Sequence, residues 1–309
     1  MRNHLNDTAH LKEQFLPLTY LHGFDELMFG TQTIGQRSAN PQNQQQFLLD
    51  SPWSIIRQNG EAICCDESIF LNIPEFRVNP DHLRKTGKHN LIIHHSARVE
   101  DCYFNTAEGP IIIDENALLM GSSAFRGPIY VGKKSVVKMG ATIYGGTTIG
   151  PYCIIGGEVK NTVFQGYSNK GHHGYIGDSF IGTWCNLGAG TSCSNVKNTG
   201  GIIKSWNIQK KTFESAGTKC GVLMGDFCRT AINTAINSGS VMGIFANIFD
   251  AQTLSPKFVP SFSWGTKGQT YEKEKILGEM LNWMALKEQT PDQQLIEKIL
   301  SLYHQTDKS

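Results

Sequence analysis

The stretch VGKKSVVKMGATIYGGTTIGPYCIIGGEV, running from Val131 to Val159, repeats with a period of six. Val131, Val137, Ile143, Ile149 and Ile155 mark that period. Four residues after each stands a small or modest side chain: Ser135, Ala141, Thr147, Cys153 and Val159. The same frame returns at Ile181-Gly182 and Leu187-Gly188, with Cys185 and Thr191 four places on. A period of six fits neither the 3.6 of a helix nor the simple alternation of a strand. It fits short extended faces joined by tight turns, three faces to a coil. The aliphatic residue points into a narrow prism and the small residue fits where the chain turns. Glycine tolerates the close approach at the corner. Stacked coils pair as parallel strands about 4.8 Å apart. The chain is therefore expected to be mainly β, built on a parallel β-helix whose hand the period leaves open.

Working outward, residues 1–90 carry no hexads and read as a small α/β or irregular segment. It is broken by the Gln-rich run Pro41-Gln42-Asn43-Gln44-Gln45-Gln46. Residues 91–250 hold the repeats, with an insertion near 196–219 that reads as a protruding hairpin, since the period lapses between Asn195 and Lys219. Residues 251–309 read as an extension with two helices. The first covers Tyr271 to Lys287, with Ile276, Leu277, Met280 and Leu281 near one side. The second starts at a capping box of Thr290, Pro291 and Gln293.

Composition excludes several function classes. A formal charge of +1 over 309 residues offers no global attraction for nucleic acid or anionic membrane, so an acidic ligand must be caught by a local patch. No apolar run is long enough to span a bilayer, and Met1 to His10 is polar, without the apolar core of a signal peptide. A cytoplasmic protein is expected. The eight cysteines lack CxxC spacing and read as reduced, packed thiols. The 32 glycines concentrate in the middle third, where the coils need corners.

The sequence has no GxxxxGK[ST] loop, GxGxxG fingerprint, HExxH pair or GxSxG elbow. His94-His95 and His172-His173 lack acidic or thiol partners at metal-ligand spacing, so no metal is expected. One segment abandons the hexad while its flanks obey it: Glu158-Val159-Lys160-Asn161, then Ser168-Asn169-Lys170-Gly171-His172-His173-Gly174-Tyr175-Ile176-Gly177-Asp178. Lysines, histidines and a tyrosine collect there among glycines. A histidine, with an unperturbed pKa of about 6.5, suits general-base work near neutrality, and lysines beside it suit a phosphate. The competing reading is an exposed loop held open by glycine.

The run Gly171 to Asp178, followed by Asn186-Leu187-Gly188-Ala189-Gly190-Thr191 and Asn195, resembles the acetyltransferase half of the GlmU-like family, with its GHxxYLGD and NIGAGT patterns. Glu158-Val159-Lys160 matches the family's Glu-Val-Lys upstream. The resemblance covers about residues 90–250. It is strongest to a shorter group carrying Phe15-Leu16-Pro17-Leu18-Thr19-Tyr20, Asn59-Gly60-Glu61-Ala62-Ile63 and Ser261-Phe262-Ser263-Trp264-Gly265. It implies a left-handed β-helix, a homotrimer and acetyl-CoA, or another acyl-CoA, as co-substrate. It implies His172 as the base that deprotonates the amine of glucosamine 1-phosphate or a related amino sugar, nucleotide-linked ones included. Lys160 would hold the phosphate, while Tyr175, Asn186 and Asn195 would contact the sugar. Ala189 and Gly225 would neighbour the acyl-CoA.

The sequence also departs from the family. The coil before Glu158 is short, and the arginine that helps grip the phosphate has no counterpart in it. The N-terminal block lacks the Leu-Ala-Ala-Gly-x-Gly-Thr-Arg-Met signature, of which Gly30 to Arg37 is at most a remnant. Two readings therefore stand beside acyl transfer: a non-catalytic module that binds sugar phosphate or holds partners, and a Mg²⁺-dependent sugar-1-phosphate nucleotidyltransferase.

Overall fold

The computed structural model describes residues 8–40, 45–250 and 254–306. Residues 1–7 of the polar N-terminus and 41–44 of the Gln-rich break lie outside the described residues. Parallel strands stack into a β-solenoid with three faces per coil. Parallel pairing runs from Arg84–Thr86 to the strand Ser263–Trp264.

The register shows how the hexads build the prism. On one face Ile113, Val131, Ile149, Phe164, Ile181, Met224, Met242 and Val259 align in a column. Val99, Leu119, Val137 and Ile155 form the second, and Phe104, Phe125, Ile143, Val159 and Ile176 the third. Nearly all of these side chains are fully buried, forming one continuous interior cluster. Val159 differs from its expected role as a corner companion. It pairs with Ile143 as a core residue of the third face. The reason is the tight Gly156-Gly157 turn, which takes Ile155 to Val159 in four residues where Val137 to Ile143 takes six. The expected insertion region contains an antiparallel pair, Ile203–Asn207 with Thr212–Gly217.

The first face is buried on both sides. Its outward residues Ile112, Tyr130, Val163, Phe180, Leu223 and Val241 pack against the N-terminal segment, chiefly the helix Pro52–Leu71. Proline suits the first turn of that helix, where its missing N–H costs nothing. Asn59 locks the docking: its amide donates to the Gly146 carbonyl at 2.8 Å and to Thr148 Oγ1 at 2.9 Å, and its oxygen accepts from Gly30 N. Gly60 brings the helix to the coil, because a Cβ there would sit 3.3 Å from Gly146 Cα.

At another corner the backbone turns through left-handed φ at Tyr152, Tyr167, Trp184, Phe227, Phe245 and Phe262. These rings stack as a ladder with centroids 4.4 to 6.2 Å apart. The contacts offset the dihedral cost of a bulky residue at positive φ. The helices Lys273–Ala285 and Gln293–Thr306 cover much of this ladder. The second helix is capped by Asp292, whose carboxylate accepts from Leu295 N at 2.7 Å, and not by Thr290. Asp292 stands three residues before that N–H, the spacing a cap requires. All eight cysteines are free, six of them buried.

Candidate active site

The two long strands Glu158–Gly166 and Tyr175–Thr183 run side by side, bridging the third and first faces. Their pairing sets Glu158 beside Tyr175 and Lys160 beside Gly177. Tyr175 and Lys160 thus share the outer surface, and the tyrosine ring folds over Gly177, where a Cβ would meet its hydroxyl at 2.2 Å. Past them the chain turns at Asn161, Asp178 and Asn195. The Asp178 carboxylate accepts from Asn161 Nδ2 at 2.7 Å and from Asn195 Nδ2 at 2.5 Å, tying three coils together. Burial, then the negative charges of Asp178 and Glu158, pushes the Tyr175 hydroxyl up to about 12. Tyr175 is therefore a neutral donor at physiological pH.

Beside this corner lies an open cavity of about 610 Å³, lined by Lys160, Asn161 and Asp178 from the coils. Arg57 of the Pro52–Leu71 helix and Lys219, just after the hairpin, line it too. Three cations converge on it against one carboxylate already engaged by two amides. Arg57 and Lys219 escape sequence reasoning because they belong to other elements, and Arg57 precedes Lys160 by a hundred residues. Arg57 also donates to the Ala216 carbonyl, joining the N-terminal helix to the hairpin strand.

His172 and His173 stand apart from this cavity, exposed on the corner between the second and third faces. Gly174 allows that corner: its φ is +119°, and a Cβ there would lie 2.2 Å from the Thr191 carbonyl oxygen. Gly190 N donates to the His173 carbonyl at 3.0 Å, and Asn169 pairs with Asn186, which places Ala189 beneath His172. Lys170, in the core of this coil, donates to the His172 carbonyl at 2.9 Å. Tyr175 follows His172 by one short turn, its N–H bonded to Ser192 Oγ at 3.1 Å.

The structure thus brings Lys160, Tyr175 and Asn195 together, and sets His172 above Ala189 on the adjoining corner. Asn186 lies on the outer side of the second face between Asn169 and Arg229. Gly225 is buried behind the first face, where its carbonyl accepts from Cys185 Sγ. Among the described residues, no group of three or more His, Cys, Asp or Glu side chains is placed to hold a metal ion. No helix among them is long and apolar enough to cross a membrane.

No protein-family model matches the chain. A bifunctional sugar-1-phosphate nucleotidylyltransferase/acetyltransferase of Sulfurisphaera tokodaii is 36% identical over 92 residues, covering 30% of this chain and 23% of that protein. A bifunctional protein GlmU of Methanocaldococcus jannaschii is 36% identical over 86 residues, covering 28% and 21%. One of Nostoc sp. is 32% identical over 155 residues, covering 41% and 34%. These matches span about a fifth to a third of the relatives' lengths. Over these stretches the chain, with its stacked parallel coils, is similar to GlmU and to a bifunctional sugar-1-phosphate nucleotidylyltransferase/acetyltransferase.

Proposed function

We propose that this chain is an acyltransferase that moves an acetyl or other acyl group from acyl-CoA to the amine of a sugar phosphate, glucosamine 1-phosphate first among candidates. The observation that carries this reading is the convergence of Lys160, Arg57 and Lys219 on one cavity beside Tyr175 and Asn195. Three cations there favour a phosphate, and charge-assisted bonds to it fix the sugar. Arg57 would fill the role for which the coil supplies no arginine. Tyr175 and Asn195 would then orient the ring.

His172 is the base. It takes a proton from the amine as the nitrogen lone pair attacks the thioester carbonyl carbon, and the new C–N bond makes a tetrahedral oxyanion. We assign the Ala189 N–H as donor to that oxyanion. Collapse breaks the C–S bond, and the imidazolium returns the proton to the CoA thiolate. A homotrimer would cover the exposed His172 corner and exclude water from it. Asn186 would reach the sugar only across such an interface, and Gly225 plays no part in this reading. A cytoplasmic location suits these substrates.

The test mixes protein, acetyl-CoA and glucosamine 1-phosphate and follows free thiol, with His172→Ala alongside and a correction for the eight cysteines. Turnover by the wild type and not by the variant supports acyl transfer. Silence across a panel of amino sugars and acyl-CoAs, with sugar phosphate still bound, shifts the function to a binding module. Mg²⁺-dependent pyrophosphate release from a nucleotide, insensitive to His172→Ala, would establish nucleotidyl transfer instead.

A further inference from the structure

Lys170 occupies a core position. It pairs with Ile155 in the column that also holds Leu119 and Val137, and the Asn169–Asn186 pairing sets it over Leu187. Its side chain is 1% exposed inside the prism, where neighbouring coils place aliphatics. Among the described residues no carboxylate offsets its charge, and burial lowers its ammonium to about 8. A leucine or methionine would serve the packing better, because an unpaired buried cation carries a large desolvation cost. What the lysine adds at this position is the bonding of its head group.

The ammonium holds two carbonyls, those of Gly156 at 3.1 Å and His172 at 2.9 Å. The short Gly156-Gly157 turn draws one coil's corner inward, and a Cβ at Gly157 would sit 2.9 Å from the lysine nitrogen. Glycines flank the other corner at Gly171 and Gly174. Among the described residues the His172 ring has no hydrogen-bond partner of its own, so its placement depends on its backbone. We propose that Lys170 is a positioning residue for His172, its ammonium clamping the His172 carbonyl from inside the coil and so fixing the corner that presents the imidazole. This rests on His172 acting as the base, and it adds the residue that orders that base.

The test compares Lys170→Met and Lys170→Leu with the wild type in the full chain. We expect both to fold at neutral pH, because removal of the unpaired buried charge offsets the loss of the two carbonyl bonds. KM for the sugar phosphate should stay within twofold while kcat falls about tenfold or more, with amide exchange over Gly171 to Tyr175 faster by at least tenfold. In a His172→Ala background, Lys170→Met should cost nothing further, since it acts through His172. Unchanged kcat and exchange in both variants, with His172→Ala inactive, would overturn the clamp and leave the base assignment standing. A kcat loss that persists in the His172→Ala background would also overturn it. Turnover insensitive to His172→Ala would overturn the base assignment and this inference with it.

Discussion

Arg57 and Lys160 face the same cavity from two different elements, one from the N-terminal helix and the other from the coil that helix packs against. The N-terminal segment is therefore part of the candidate site and more than a cap. Arg57→Gln keeps a donor for the Ala216 carbonyl and removes the charge. If Arg57 grips a phosphate, KM for a phosphorylated amino sugar should rise about 10- to 100-fold, as loss of one charge-assisted bond is worth roughly 1.5–3 kcal/mol. The unphosphorylated sugar should react as before. Steady-state kinetics on the two substrates decide it, and an equal loss on both would remove Arg57 from phosphate binding.

Asp178 ties Asn161 to Asn195 through its two oxygens. In Asp178→Asn one oxygen becomes an NH₂ that meets another donor, so one of the two bonds is lost. KM for the sugar should rise about tenfold, the scale of one such bond. The charge next to Tyr175 goes as well, so this hydroxyl should ionise at lower pH than in the wild type. Ultraviolet difference titration of the two proteins reads that change; coincident curves would detach Asp178 from Tyr175.

How much of the molecule is legible in its sequence follows from where regularity lies. Val131 to Ile155 keep an unbroken period, so the prism and its inward residues can be read directly. The corner ladder cannot, because Tyr152, Tyr167, Trp184 and Phe227 are separated by coils of unequal length, one of them carrying the hairpin. Lys160, Tyr175 and Asn195 are reached through a motif, and pairing of adjacent strands brings the first two together. Arg57 is not, since docking of a distant helix has no local signature. Lys170 reads only as one of several loop cations, because a polar residue at an inward position breaks the very pattern used to find such positions.

The docking itself rests on a polar contact. Asn59 is fully buried and satisfies Gly30 N, the Gly146 carbonyl and Thr148 Oγ1. Asn59→Leu conserves volume and leaves Gly30 N and the Gly146 carbonyl unpaired, while Thr148 Oγ1 keeps its bond to the Gly30 carbonyl, at a cost of about 2–5 kcal/mol. Urea unfolding should show the loss. Because Gly60 and Gly146 line the cavity, sugar-phosphate affinity should fall in the same variant. Wild-type stability with wild-type affinity would show that the apolar contacts alone dock the helix.

Lys170 also gives a pH signature. Its folded-state value is about 8, against 10.5 for an ordinary lysine. Between those values the unfolded chain holds the proton that the folded chain has released, so stability from this group rises with pH. Below pH 8 both states are charged, and its contribution is at its minimum. The full gain is about 3 kcal/mol, since each tenfold change in proton affinity is worth about 1.4 kcal/mol. Other lysines depressed by burial, such as Lys257 and Lys287, act in the same direction, so the wild-type curve alone is not diagnostic. Lys170→Met removes one group and leaves the rest. The stability of the variant relative to the wild type should be greatest at pH 7 and should fall steadily toward pH 10, whatever constant offset the two lost carbonyl bonds add. Urea midpoints measured at half-unit steps of pH read that difference directly. A stability difference independent of pH would mean that the ammonium is not desolvated in the folded chain, and that packing and the two lost bonds alone distinguish the side chains.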